Sequence, residues 1–194
     1  MAGDLGTATG EVDSGVEGAA RAVLDFWFAV PKEKRFDKDE ALDRIIAARF
    51  GALRQRVHDT AAAGWRDDPR HLLAAVILLD QFSRNLFRGE EEAFASDPIA
   101  RHLTAEALAK GWDAGMTHEE RVFLYLPMMH GEDAESQRRS VELYRALGEE
   151  ENLRFAIDHA QVFARFGRFP SRNAALGRET TAEERAYLDA GGGW

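Results

Sequence analysis

Start and stop signals for helices recur along this chain at intervals that leave room for little besides packed α-helices. Asp68 before Pro69 sets an N-cap carboxylate ahead of a proline at the first helical position, where the missing N–H costs nothing. Asp97 and Pro98 repeat that signal, and Thr117 with Glu120 and Thr181 with Glu184 have the spacing of capping boxes. Gly64, Gly111, Gly148 and Gly167 stand where stops are expected. Between these marks the apolar residues keep helical spacing, as Leu42, Ile45, Ile46, Phe50, Leu53 and Val57 do, with Arg44, Arg54 and Arg56 on the other side. The signals predict an all-α fold of about eight helices. The first covers roughly Val16 to Phe28 and the second runs from about Asp37 to Ala63. The third starts after Asp68, and its stretch Leu72 to Leu79 is apolar on every face, which places it at the centre of the domain. The others run from Asp97 to Gly111, from Thr117 until Pro127 breaks the helix, from about Asp133 to Leu147, from about Glu150 to Phe166, and from Thr181 for a short last helix. Short links favour antiparallel pairs stacked side by side.

A chain of 194 residues, 45% hydrophobic, is the size of one domain, expected over residues 16–194. Residues 1–15, rich in Gly, Asp and Thr, lack the cationic start and apolar run of a secretory signal and are expected to form a disordered arm. The longest apolar stretch is closed by Asp80, well short of the roughly 20 residues a membrane crossing needs, so a cytoplasmic protein is expected. With no cysteine, disulfides, thiol catalysis and thiolate metal sites are excluded. A net charge of -9 disfavours general attraction to nucleic acid, despite a local alternation of arginine and aromatic residues near the C-terminus.

Three segments depart from the pattern of apolar inside and charge outside. In Leu79-Asp80-Gln81-Phe82-Ser83-Arg84-Asn85, Asp80 and Arg84 lie one helical turn apart, as do Gln81 and Asn85, so each pair can meet. This is either a buried ion pair that fixes packing, or a set in which Arg84 and Asn85 donate to a ligand. In the second segment Pro127 breaks the helix and Gly131 gives freedom for a tight turn, presenting His130 from a non-helical junction, with Glu132, Asp133 and Gln137 beyond. Glu132 and Asp133 also suit the positive end of the following helix, with Asp133 the better cap. In the third, His159 lies on an apolar stripe with Phe155, Val162 and Phe166, the usual position of a core histidine. Arg165, Arg168, Arg172 and Arg178 then alternate with aromatic and turn residues up to Asn173 and Gly177, either a fork-donor cluster suited to carboxylate or phosphate, or caps for helix C-termini that neutralise the acidic surface. His130, Glu132, Asp133 and His159 are ligand types for a metal but lack its usual spacing, so no metal is assigned. His58, His71, His102 and His118 are expected at solvated surfaces. Gly-rich phosphate loops and a Gly-x-Ser-x-Gly elbow are absent.

Together with Val23-Leu24-Asp25-Phe26-Trp27-Phe28, Tyr125-Leu126-Pro127 and Phe166-Gly167-Arg168-Phe169-Pro170-Ser171-Arg172-Asn173, these segments resemble the bacterial family known as domain of unknown function 924. The resemblance implies an α-helical fold similar to tetratricopeptide repeats and no established activity. The chain departs from the family's usual pattern at Ser83, where proline is common, at Met128 and Met129, where Leu-Glu is common, and at Ser171, where a histidine usually stands.

Two functions fit. In the first, a small anionic or polar ligand sits in a pocket where Arg84, Arg168 and Arg172 hold charged oxygens, and Asp80 orients an arginine. Asn85 and Asn173 orient the ligand, and His130 or His159 carries a proton. In the second, stacked helices present a groove to a protein or peptide, as tetratricopeptide-like folds do. The odd polar residues crowd around helix ends and turns, which favours the pocket.

Overall fold

A computed structural model describes residues 8–193, with side chains from residue 15 onward. Of the disordered arm expected at residues 1–15, residues 1–7 lie outside the described residues, and residues 8–15 are helical instead. Helix α1 spans Ala8–Ala29, so helical backbone starts upstream of Val16. It buries Ala20, Val23, Leu24 and Trp27, one stripe at helical spacing. Two one-turn helices that no cap or periodicity announced follow the chain's bends: α2 (Lys32–Phe36) and α6 (Glu92–Ala95). Helix α3 (Glu40–Asp59) begins slightly later than expected, with Asp39 accepting from the amides of Ala41 and Leu42.

The apolar run forms the central rod of the molecule. Helix α4 (Pro69–Val76) starts on the Asp68 cap, passes into a wider π-helical turn over Ile77–Phe82, and ends as α5 (Ser83–Leu86). Every side chain from Leu72 to Leu79 is buried, because the rod is surrounded by α1, α3, α7 (Asp97–Ala109) and α8 (His118–Met129). A π turn loosens the regular backbone ladder and recurs at functional sites. Here side chains meet its carbonyls: Ser83 Oγ donates to Leu79 O at 2.6 Å, and Arg84 Nη1 donates to Asp80 O at 2.8 Å.

Helices α8, α9 (Ala134–Leu147) and α10 (Glu150–Phe166) pack in succession, with only Gly148 and Glu149 between the last two, and α11 (Ala182–Asp189) follows. No strand occurs among the described residues, and none of the helices described is long and apolar enough to cross a membrane. The capping boxes of Thr117 and Thr181 are both formed.

Three local expectations are corrected. Pro127 does not break α8: it lies in the last turn, and the His130 amide still reaches Leu126 O at 3.0 Å, so the helix loses little by keeping Leu126, Met128 and Met129 in the core. Arg54 does not face solvent: it is 2% exposed and donates to Ser83 Oγ and Ser96 Oγ. His58 is half-buried, with Nδ1 at 2.8 Å from the same Ser96 hydroxyl.

Candidate functional site

The end of α8, the π turn, the start of α7 and the short 3-10 turn Pro170–Arg172 meet around two carboxylates. Asp80 is wholly buried. Its Oδ1 lies 2.7 Å from His130 Nδ1 and 3.2 Å from Arg84 Nη1, and its Oδ2 accepts from Gln81 Nε2 at 2.6 Å. Burial by itself would raise the Asp80 pKa, but Arg84 and His130 outweigh it and hold the carboxyl well below the usual range. The pair expected from one-turn spacing is therefore present for Asp80 and Arg84. Gln81 and Asn85 do not meet: Gln81 serves Asp80, and Asn85 Nδ2 donates to Asp43 of α3 at 2.7 Å.

Asp97 is the second carboxylate. Sequence reasoning took it for a helix cap, by analogy with Asp68. In the structure it is instead the first residue of α7, and its side chain is drawn inward, 4% exposed. Arg84 grips it with both Nη atoms at 3.0 Å, and Arg172 Nη1 donates to its Oδ2 at 3.3 Å. Ser96, now at the cap position, makes no side-chain cap, its hydroxyl being engaged by Arg54 and His58. The sequence signal that bears on this shift is the hydroxyl residue directly before Asp-Pro, a second cap candidate at Ser96.

Within the cluster, Arg172 has a less complete set of partners than Arg84. Besides Asp97 it donates from Nη2 to the His130 carbonyl at 3.0 Å. Its guanidinium lies between the rings of Phe94 and Phe169, at 4.7 and 4.8 Å from their centroids. A guanidinium carries five N–H donors, so most of them have no partner among the described residues. Burial and the charge of Arg84 lower its pKa to about 10, against the opposing pull of Asp97, Glu132 and Asp80. Arg172 lines an open cleft of about 370 Å³ whose other charged walls are Glu91, Asp97, Arg101, Glu132 and Asp133, with Phe94 and Leu176 among its apolar ones. Another hollow, at Lys34, Asp37 and Lys38, is walled by solvated side chains of the α2–α3 link and holds no buried polar group.

The two candidate histidines differ. His130 keeps 14% of its side chain exposed. Burial and Arg84 lower its pKa, against the opposing pull of Asp80. His159 is 6% exposed and its Nδ1 donates to Phe155 O at 2.8 Å; burial, then His130, press its pKa down to about 3. It packs edge-on to Phe169, its ring 6.2 Å from that of His130, as a core histidine should.

The remaining residues of the predicted set are placed around this centre. Glu132 accepts from Arg178 at 2.8 and 3.0 Å and from the Phe169 amide at 2.6 Å, tying the 3-10 turn to the end of α8. Arg168 is held apart, donating to both oxygens of Glu184, which also accepts from Asn173 Nδ2 at 3.3 Å. Asp133 caps α9 by accepting from the Ser136 amide. Gln137 Nε2 donates to Met129 O and Gly131 O, closing the end of α8. Asp80, Arg84, Asp97, His130 and Arg172 thus form one cluster, with His159 beside it. Among the described residues no three His, Asp or Glu side chains are grouped as metal ligands.

A bacterial family described as a protein of unknown function, DUF924, matches residues 23–192. The chain is also similar to a solved structure of a protein of unknown function from Agrobacterium tumefaciens, with 40% identity and a TM-score of 0.86 over 90% of this chain and 99% of that one. No protein of curated function matches it.

Proposed function

The chain belongs to this bacterial family, whose function is not established, and we propose that it binds a small carboxylate- or phosphate-bearing molecule in the cleft beside Arg172. The observation that carries the reading is the incomplete hydrogen bonding of Arg172. Arg84, Arg168 and Arg178 each hold a carboxylate with two hydrogen bonds, whereas Arg172 has one long contact to a carboxylate that Arg84 already grips. A desolvated cation with unused donors on a cleft wall suits an anion that can accept from a planar fork. Phe94 and Phe169 fix the plane of that fork before the ligand arrives. Arg101, which approaches Asp133 only to 4.0 Å, adds a second positive group on the same wall.

Thermal shift against malonate and inorganic phosphate tests this reading, because a ligand that binds only the native state raises Tm by mass action. Either probe is expected to raise the Tm of the wild-type chain, and Arg172→Ala is expected to fold and lose the response. That variant strands no charge, since Asp97 keeps both bonds from Arg84. The reading fails if neither probe shifts the wild-type protein. It fails equally if Arg172→Ala retains the shift, or if that variant unfolds the chain, which would make Arg172 part of the packing.

A further inference from the structure

The carboxylate–imidazole contact inside the cluster has a polarity that the ion pairs around it do not share. An ionised carboxylate only accepts, so His130 Nδ1, 2.7 Å from Asp80 Oδ1, carries the ring proton when the imidazole is neutral. The lone pair is then on Nε2, which has no hydrogen-bond partner among the described residues. Asp80 is immobilised: Arg84 and Gln81 take up its remaining acceptor capacity, and its side chain is 1% exposed against 14% for that of His130. Solvent thus reaches the histidine and not the acid that orients it. His159 has no such arrangement, since its Nδ1 is spent on a main-chain carbonyl inside its own helix.

We propose that His130 is a general base that takes a proton through Nε2 from a carboxylate- or phosphate-bearing substrate bound at Arg172, with Asp80 as the residue that positions it. This rests on the anion-binding reading. Arg172 joins the two functions, as its Nη2 donates to the His130 carbonyl while its guanidinium lines the cleft. In the step, the X–H bond of the substrate breaks and an N–H bond forms at Nε2. The electron pair stays on the substrate, stabilised by the adjacent guanidinium, and the imidazolium later returns the proton. Neither oxidant nor co-reactant is required. A fixed carboxylate on the far nitrogen holds the tautomer and stabilises the imidazolium as it forms. The charged and titratable groups in contact with or beside the ring are Asp80 on the π turn, Arg84 on α5, Asp97 on α7, His159 on α10 and Arg172 on the 3-10 turn. With burial and Arg84 outweighing the pull of Asp80 and Asp97, the ring is held below its ordinary pKa and stays neutral at pH 7, the form a base requires.

The test uses the full chain and diethyl pyrocarbonate, which acylates the unprotonated imidazole nitrogen, with modified peptides read by mass spectrometry. Long-range nitrogen-15 NMR reports the His130 tautomer in the same protein. The expected result is acylation of His130 ahead of His159, protection by malonate, and a ring protonated at Nδ1. Asp80→Asn should move the midpoint of the pH–rate profile of acylation downward, because a negative charge that favours the imidazolium is gone, and should lose the single Nδ1–H tautomer, because an amide can donate to Nδ1 as well as accept from it. An unreactive His130, or one protonated at Nε2, overturns the proposal. If malonate raises Tm through Arg172 but leaves His130 fully reactive, the anion site stands and the base assignment falls. If neither malonate nor phosphate binds, both fall.

Discussion

Asp97 shows at the residue scale how far a side chain's role can depart from its local signal. Two guanidiniums, Arg84 and Arg172, point to one carboxylate that is 4% exposed, and Arg84 also reaches Asp80 at 3.2 Å. Removing one partner of a buried ionic group leaves an uncompensated charge, at a cost of about 3 kcal/mol. Asp97→Ala is therefore expected to lower the unfolding free energy by about that amount in urea titration. Arg172→Ala should cost less, because it removes the cation with fewer bonds and strands no anion. Equal losses for the two would contradict the asymmetry read from the hydrogen bonds.

At the scale of elements, the π turn and the α8–α9 junction bring the cluster together. The π turn delivers Asp80 to the end of α8 while Arg84, one turn on, reaches α7. Gly131, expected to give freedom for a tight turn, is absent from the positive-φ residues and is required instead by close approach. A Cβ there would lie 2.5 Å from Ser136 Cβ and 2.7 Å from its Oγ, closer than atoms pack. Ser136 is bound through its amide and hydroxyl to Asp133, so it cannot yield without opening the α9 cap. Gly131→Ala is expected to cost about 2 kcal/mol, from overpacking and cap loss, in chemical denaturation. Because His130 is the neighbouring residue, the same variant should weaken the malonate response. A fully stable Gly131→Ala protein would show that the junction can relax.

The whole molecule places two histidines and several carboxylates where protonation weakens the fold. His159 has a folded pKa of about 3 against an ordinary 6.5, so between those values the unfolded chain binds a proton that the native one does not. Its contribution is complete above pH 6.5 and is lost as pH falls towards 3, at about 1.4 kcal/mol per pH unit. His130, also lowered, adds to the same slope, and Asp80, Glu132 and Glu184, all lowered, extend the loss below the ordinary carboxylate range. Tm should therefore drop on acidification from pH 7 to pH 5, and His159→Gln should flatten that drop even if it lowers Tm at pH 7. A Tm independent of pH across this interval would mean that the two rings are not held neutral.

The all-α class, the central rod and most helix ends could be read from the chain because their causes are local. Asp68 before Pro69, Thr117 with Glu120 and Thr181 with Glu184 satisfy amides within a few residues of themselves, and Leu72 to Leu79 must be enclosed wherever they lie. The membership of Asp80, Arg84, His130 and Arg172 in one cluster could be suspected from residue type and spacing, since charges on apolar helices need partners. Which partner each one found was decided by tertiary structure. Asp97 and Arg172 are 75 positions apart, and no periodicity ranks Arg172 above Arg168, whose fork closes on Glu184 instead. Asp97 meets Arg84 and Arg172 instead of capping its helix because long-range electrostatics outweigh a local hydrogen bond once the helices have packed. The same packing decides which histidine retains a solvent-accessible face and which is sealed against Phe169.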